Sequence, residues 1–227
     1  LAFQAAAFDP RAPEALWAAG WQGVFHSSDG GRAWEQRTPD LGSSFYFGEV
    51  QVDPSDPDII YAAGGEVTSI RPVIFSPVVL RSADGGVTWE RRDAGLEGGN
   101  VVDFAVDAGD PSVLYAVTTR LFRSTDAGLS WTPAPGLGGF SYVTVATAAA
   151  SSGTGPGAPA AVYTAHQAPF GMVLRSTDQG ETWRPVRFNL QPAIPQVLEV
   201  DPTNPAHLLL GTQNRSLLSY TLGGGAP

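Results

Sequence analysis

The chain of 227 residues has no cysteine and a single methionine, Met172. The first absence excludes disulfides and thiolate metal sites. No uncharged apolar run approaches the ~18 residues of a membrane-spanning helix, so no membrane insertion is expected. Basic residues are scarce, 13 against 22 acidic, for a formal charge of −9. That balance argues against a nucleic-acid partner and against docking on an anionic membrane. The three histidines, His26, His166 and His207, show no metal-ligand spacing. Asp53, Asp56 and Asp58 form the densest acidic run, but they fall in an Asp-Pro turn that needs no ion. Neither a metal nor a cofactor is expected. The chain opens on Leu1, and with its one methionine internal it reads as a processed or trimmed polypeptide whose targeting segment lies outside it.

What is present in quantity is Gly (27) and Pro (19), a composition suited to many short strands joined by tight turns. One eight-residue frame, S-x-D-x-G-x-x-W, occurs four times, at Ser27–Trp34, Ser82–Trp89, Ser124–Trp131 and Ser176–Trp183. A period of about 40–55 residues indicates a propeller or an array of repeats. Each frame offers the parts of a self-sufficient turn. Ser and Asp side chains accept from nearby backbone N–H groups, Gly takes φ > 0 without a steric cost, and Trp carries a large apolar surface. Asp29, Trp34, Asp84, Trp89, Asp126, Trp131, Asp178 and Trp183 are therefore assigned to structure. If its ring is fully buried, Trp89→Ala should cost about 3–5 kcal/mol.

A second landmark precedes the frames. Apolar alternation (Ala6/Phe8, Val50/Val52, Phe104/Val106, Leu198/Val200) predicts a strand a. It ends in a turn at Asp9, Asp53, Asp107 or Asp201, and a strand b carries Trp17, Tyr61, Tyr115 or Leu209 eight positions after that Asp. A strand c then enters the frame, and a strand d starts at its Trp. Projecting the same spacing from Trp131 lands on Ala149, where the Asp-Pro is replaced by the Ala/Ser/Gly/Pro stretch 148–160. Five a–b–c sets result, with four d strands. The fifth frame has decayed to Ser219–Ala226, where Asp and Trp are gone. The expected fold is all-β, a single β-propeller domain of four-stranded antiparallel blades at approximately 1–41, 42–96, 97–137, 138–191 and 192–227, the last lacking its outer strand. Either that blade has three strands or the molecule once extended further.

The frame resembles the Asp-box, or bacterial neuraminidase repeat, over nearly the whole chain. The longer repeats Asp-Pro-x-x-Pro-x-x-x-Tyr-Ala and Leu-Arg-Ser-x-Asp-x-Gly are similar to those of sortilin-type receptors, xyloglucan-active glycosidases and photosystem II assembly factors. The resemblance implies that each box lies on the c–d hairpin of a blade. It does not select a function, because one fold hosts many.

Topology sends the box hairpins and a–b turns to one end of the blades and the b–c and d–a connections to the other. The second set varies in length, from short to a stretch of about 64–77 in blade 2, and variable loops on a rigid scaffold are where function sits. Glu49 and Asp103 each stand four residues before the turn Asp, where the other blades have Ala5, Val145 and Val197. Paired carboxylates on adjacent inner strands suit glycosidase chemistry if they lie within roughly 5–10 Å. The same residues also suit the lining of a wet channel, as do Gln51 and Glu199. Arg71, Arg120 and Arg215 fall in b–c loops and could clamp a carboxylate. Sialidases, which share the box, use such an arginine cluster, but their early Arg-Ile-Pro segment is absent. Trp21, Tyr46, Phe140 and Phe170, with Phe45, Phe47 and Tyr142, crowd this end, and His166 joins them as a candidate ligand contact. Aromatic platforms stack on sugar rings, plug a small propeller, or form an interface hot spot. Two functions remain open: a non-enzymatic, exported (secreted or periplasmic) propeller binding a protein or glycan partner, and a glycoside hydrolase, or fragment of one, using Glu49 and Asp103.

Overall fold

The computed structural model describes residues 2–39, 41, 44–139, 141–148, 161–167, 171–186, 194–201, 204, 206–213 and 216–222. These contain no helix and form five antiparallel sheets, each built from one contiguous stretch of chain. The first is β1 (Phe3–Phe8), β2 (Leu16–Gly20), β3 (Gly23–Ser27) and β4 (Glu35–Gln36). The second is β5 (Phe45–Val52), β6 (Ile60–Ile70), β7 (Val73–Ser82) and β8 (Glu90–Arg91). The third is β9 (Asp103–Val106), β10 (Leu114–Val117), β11 (Leu121–Ser124) and β12 (Thr132–Pro133), and the fourth β13 (Tyr142–Ala148), β14 (Ala161–His166), β15 (Met172–Ser176) and β16 (Arg184–Val186). The last has three strands, β17 (Pro195–Val200), β18 (His207–Thr212) and β19 (Ser216–Thr221). In every sheet neighbours in sequence are neighbours in space. This up-and-down meander is the blade unit of a propeller. The decayed box beyond Leu222 lies outside the described residues, as does most of the 148–160 stretch.

Burial follows strand position. The second strands β2, β10 and β14 are almost wholly buried on both faces, whereas β18 of the last sheet alternates between buried and half-buried residues. β1 alternates half-buried and exposed residues. The fourth strands span two or three residues, short enough to offer little edge for pairing with another chain. Two compact units divide the chain, Leu1–Asp103 with Ser124–Trp131, and Phe104–Arg123 with Thr132–Pro227. The first has a core of Trp17, Val24, Phe47, Val50, Ile60 and Leu80, with Trp89 packed against it. The second has two, one around Tyr115, Leu121 and Val162 and another around Tyr163, Leu198 and Leu208.

The box hairpins are built as their residue types require. Ser27 Oγ accepts from Gly31 N at 2.9 Å and donates to Asp29 Oδ1 at 2.8 Å. The Ser82, Ser124 and Ser176 boxes repeat both bonds within 0.2 Å. The Asp then closes the turn by accepting from a backbone N–H four residues on, at 2.8–2.9 Å in all four. Gly31, Gly86, Gly128 and Gly180 have φ of 81–85°, in the left-handed region that favours glycine. The preceding position is left-handed too, and in two boxes it is not glycine: Ala127 and Gln179 have φ of 54° and 56°. Box and a–b turns share one end of a blade, since Gly30 N donates to Glu14 O at 2.8 Å and Gly85 N to Asp58 O at 3.0 Å.

These turns make the fold acid-sensitive. The Thr88 hydroxyl and N–H, with the Ser82 hydroxyl, hold Asp84 down from 3.8 to about 2. The Ser176 and Thr182 hydroxyls do the same for Asp178, also to about 2. Asp9, Asp29 and Asp126 are lowered as well, while burial raises Asp107 and Glu199. A lowered carboxyl stabilises the fold above its unfolded pKa, and that contribution disappears as pH falls through the folded value. With lowered groups in the majority, the thermal midpoint should fall as pH drops from about 4 to about 2. In circular-dichroism melts, Asp84→Asn with Asp178→Asn should lower the midpoint at neutral pH and flatten the acid limb.

The structure corrects three expectations. The stretch 64–77 is no loop: β6 and β7 run on as one long hairpin that turns at Arg71-Pro72. Trp89 is half-buried, not fully buried; among the box tryptophans it is Trp131 that is enclosed, at 3% exposure. The blade 4 counterpart of Glu49 is Thr144, one residue away from Val145. A β-bulge breaks the register just before Ala5, Glu49, Thr144 and Val197, and these four pair with Ala19, Ala63, Ala165 and Gly211. Counting forward from Trp131 overshoots by one because the counterpart of Asp53 is Ala148, 17 residues after that Trp, where the other blades have 18 or 19.

Candidate functional site

In the first unit the b–c turn of blade 1 carries Trp21, and β5 carries Tyr46 in register with Gly65. The two rings meet at 5.0 Å between centroids, tilted 54°. Trp21 is 43% exposed, unusual for an indole with an aromatic partner. The Trp21 side chain also lines a cavity of about 340 Å³ with Ala2, Phe3, Gln22 and Phe25. Phe3 continues the aromatic run inward, with Phe25 at 5.5 Å and Trp34 at 4.7 Å. Two glycines permit this arrangement. The Tyr46 ring lies over Gly48, where a Cβ would sit 3.3 Å from its hydroxyl, and a Cβ at Gly64 would sit 1.9 Å from the Tyr46 carbonyl oxygen. Phe45 and Phe47 stack on the same strand at 6.3 Å, with Phe47 in the core.

Glu49 and Asp103 hold the expected positions on the first strands of blades 2 and 3, both half-buried. Each is followed four residues later by a buried turn aspartate, Asp53 or Asp107. Asp53 holds its turn through Oδ1, which accepts from Ser55 N at 2.8 Å and from Ser55 Oγ at 2.7 Å. Among the described residues no group of three or more His, Asp or Glu could hold a metal ion.

The arginines stand apart in kind. Arg71 is exposed at the tip of the β6–β7 hairpin beside Ile70, Val73 and Ile74, and Arg120 is exposed in the β10–β11 turn. Arg215, Phe140 and Phe170 lie outside the described residues. His166 is 3% exposed, at the end of β14, with its ring edge-on to Tyr142 at 5.8 Å. It belongs to the core of the second unit and presents no surface to a ligand. Sequence spacing pointed to Trp21 and Tyr46 separately. Their pairing was not legible, since they are 25 positions apart on different blades.

Five antiparallel meanders, four of them closed by Ser–Asp–Gly–Trp turns, define a β-propeller of the Asp-box type. Residues 174–185, the fourth box and its strands, match the BNR/Asp-box repeat. The chain is 32% identical to the xyloglucanase Xgh74A of Acetivibrio thermocellus over 168 residues, covering 62% of this chain and 20% of that protein. It thus spans about a fifth of that relative's length. Among solved structures, an ancestral GH74 enzyme superposes with a TM-score of 0.74 at 18% identity, over 96% of this chain and 30% of that one. YCF48 bound to D1 peptide superposes with a TM-score of 0.61 at 17% identity, over 96% of this chain and 66% of that one. At these identities the structural likeness is one of fold. No helix among the described residues is long and apolar enough to cross a membrane.

Proposed function

We propose that this chain is a carbohydrate-binding β-propeller portion that seats a polysaccharide chain of the β-glucan type on Trp21 and Tyr46. The observation that carries the reading is the paired rings beside an open cavity: an exposed indole backed by a tyrosine is a rigid, amphipathic surface that stacks on the flat face of a sugar while the phenol supplies a hydrogen bond. The xyloglucanase relative supports glucan as the substrate class. Polymers of that kind lie outside cells, so the reading entails export.

Affinity electrophoresis in gels cast with xyloglucan tests it. The wild-type chain should be retarded, and Trp21→Ala or Tyr46→Ala should weaken binding about tenfold, a loss of ~1.4 kcal/mol. Trp21 sits in a turn outside the buried core and is 43% exposed, so its removal should change the melting midpoint little. Absence of retardation of the wild type on xyloglucan and other β-glucans would overturn the reading.

One observation favours a second reading, hydrolysis: Glu49 and Asp103 occupy the same inner-strand position in a chain related to a xyloglucanase. Release of reducing ends from xyloglucan that disappears in Glu49→Gln and in Asp103→Asn would establish it in place of binding alone.

A further inference from the structure

One face of the last sheet carries a histidine with a serine on one ring nitrogen and a carboxylate on the other. Leu198, Leu208 and Leu210 enter the core of the second unit, so alternation sends His207, Leu209 and Ser219 to the opposite face. Register places Ser219 opposite Leu209 and His207 opposite Thr221, which makes His207 and Ser219 diagonal neighbours. His207 Nε2 lies 2.8 Å from Ser219 Oγ, and its Nδ1 lies 3.4 Å from Asp201 Oδ2. With a carboxylate at Nδ1, the neutral ring carries its proton there and accepts the Ser219 hydroxyl at Nε2.

Both side chains depart from the repeat. The carbonyl that receives the turn Asp N–H belongs to Ala15, Ile59 and Val113 in the first three blades, and to His207 here. Opposite Trp17, Tyr61 and Tyr163 stand His26, Arg81 and Arg175, whereas opposite Leu209 stands Ser219. Register thus puts Ser219 one place before the box serine. Asp201 keeps its turn through its other oxygen, Oδ1 accepting from Asn204 N at 3.2 Å. The turn thereby fixes the carboxylate that faces the ring. His207 is held at its backbone as well, its N donating to Asn204 O at 2.8 Å and its carbonyl accepting from Asp201 N at 3.0 Å.

A reagent can reach these groups, since Ser219 is exposed and the His207 side chain is 28% exposed. Leu222 N donates to Ala206 O at 2.7 Å, and alternation along an antiparallel ladder then points the Ser219 N–H away from β18. On the same face, one row along, Gly211 lies between Val197 and Leu217, two exposed apolar side chains.

We infer that Ser219 is an acyl-accepting nucleophile, with His207 as its base and Asp201 as a positioning residue, acting on esters of a short acyl group such as acetyl. Ser219 Oγ bonds to the ester carbonyl carbon while its proton passes to His207 Nε2. The Ser219 N–H stabilises the oxyanion. The bond from that carbon to the alcohol oxygen then breaks, and His207 returns the proton to the departing oxygen. Water repeats the sequence on the acyl-serine, releasing the carboxylic acid and regenerating Ser219. An acetyl methyl rests against Leu217, whereas a long acyl chain runs over the open sheet into water.

The full chain is tested with p-nitrophenyl acetate for turnover and with a fluorophosphonate for labelling. Wild type should hydrolyse the ester, and peptide mass mapping should place the phosphonate on Ser219. Ser219→Ala, at an exposed position, should keep its melting midpoint, lose the label and fall to the buffer rate. His207→Gln should lower kcat/KM about a hundredfold. Asp201→Asn retains an oxygen for Asn204 N and should lower kcat at least about tenfold with KM little changed, a split that a general loss of structure does not produce. Wild-type turnover no faster than buffer would overturn the inference, as would phosphonate found only on other residues. Ester hydrolysis undiminished in Ser219→Ala would also overturn it, since the imidazole would then act without the serine. Glucan binding through Trp21 and Tyr46 lies in the other unit and is decided separately.

Discussion

Trp131→Ala is expected to lower the unfolding free energy by about 3–5 kcal/mol, the range for a buried large aromatic truncated to alanine. The ring is enclosed at 3% exposure and holds a 2.7 Å bond from its indole nitrogen to Arg92 O. Its backbone is tied to the same neighbour, since Trp131 N donates to Ala94 O at 2.9 Å. Truncation therefore opens a cavity and leaves a carbonyl without its donor, and these losses act together. Trp131→Phe keeps most of the apolar surface and removes only the donor, for a loss nearer 1–2 kcal/mol. Trp89→Ala should fall between, because that ring is half-buried and its bond to Arg37 O is longer, at 3.1 Å. Urea unfolding of the three variants gives the order directly. Equal midpoints for wild type and Trp131→Ala would mean that the box tryptophans do not staple blade to blade.

Gly64→Ala should be the most damaging small substitution in the first unit. A methyl group there would sit 1.9 Å from the Tyr46 carbonyl oxygen and 2.7 Å from Phe47 Cα. Both are backbone atoms of β5 and cannot swing aside as a side-chain tip can. β5 and β6 must separate, at a cost of about 3 kcal/mol, the upper end for overpacking. The displaced strand carries Tyr46 and Phe47, so the variant should lose the Trp21–Tyr46 surface and part of the core together. Gly139→Ala is the control: nothing lies within 4 Å of its Cβ position, and the change should stay within about 0.5 kcal/mol. Thermal melts followed by near-ultraviolet circular dichroism of the aromatic residues report both effects. A Gly64→Ala protein with wild-type stability would show that β5 and β6 do not approach this closely.

Elements whose interactions are local were legible in the chain. The box turn closes on its own Ser, Asp and Gly, so an eight-residue frame was enough to place four hairpins. The eight-residue step from turn Asp to strand b placed the second strands. Where the Asp-Pro landmark is missing, counting overshoots, as at Thr144, because the connection after Trp131 is one residue shorter and no residue marks its end. The outer half of the β6–β7 hairpin reads as a loop in the sequence because it is mixed in composition and exposed, with Ile70 at 76%, and shows no clean alternation. Trp89 and Trp131 share one motif position and differ in burial, since burial depends on what the neighbouring blade brings.

The amino-acid order by itself determined the number of blades, their strand sequence, the position of the box turns and the decay of the fifth box, because each follows from contacts within about ten residues. Only the tertiary structure decided that Trp21 meets Tyr46 while His166 is shut in the core. It alone showed that Trp89 and Trp131 each latch the blade before through an indole hydrogen bond. Those facts depend on which faces pack together, and packing joins residues that the chain keeps far apart.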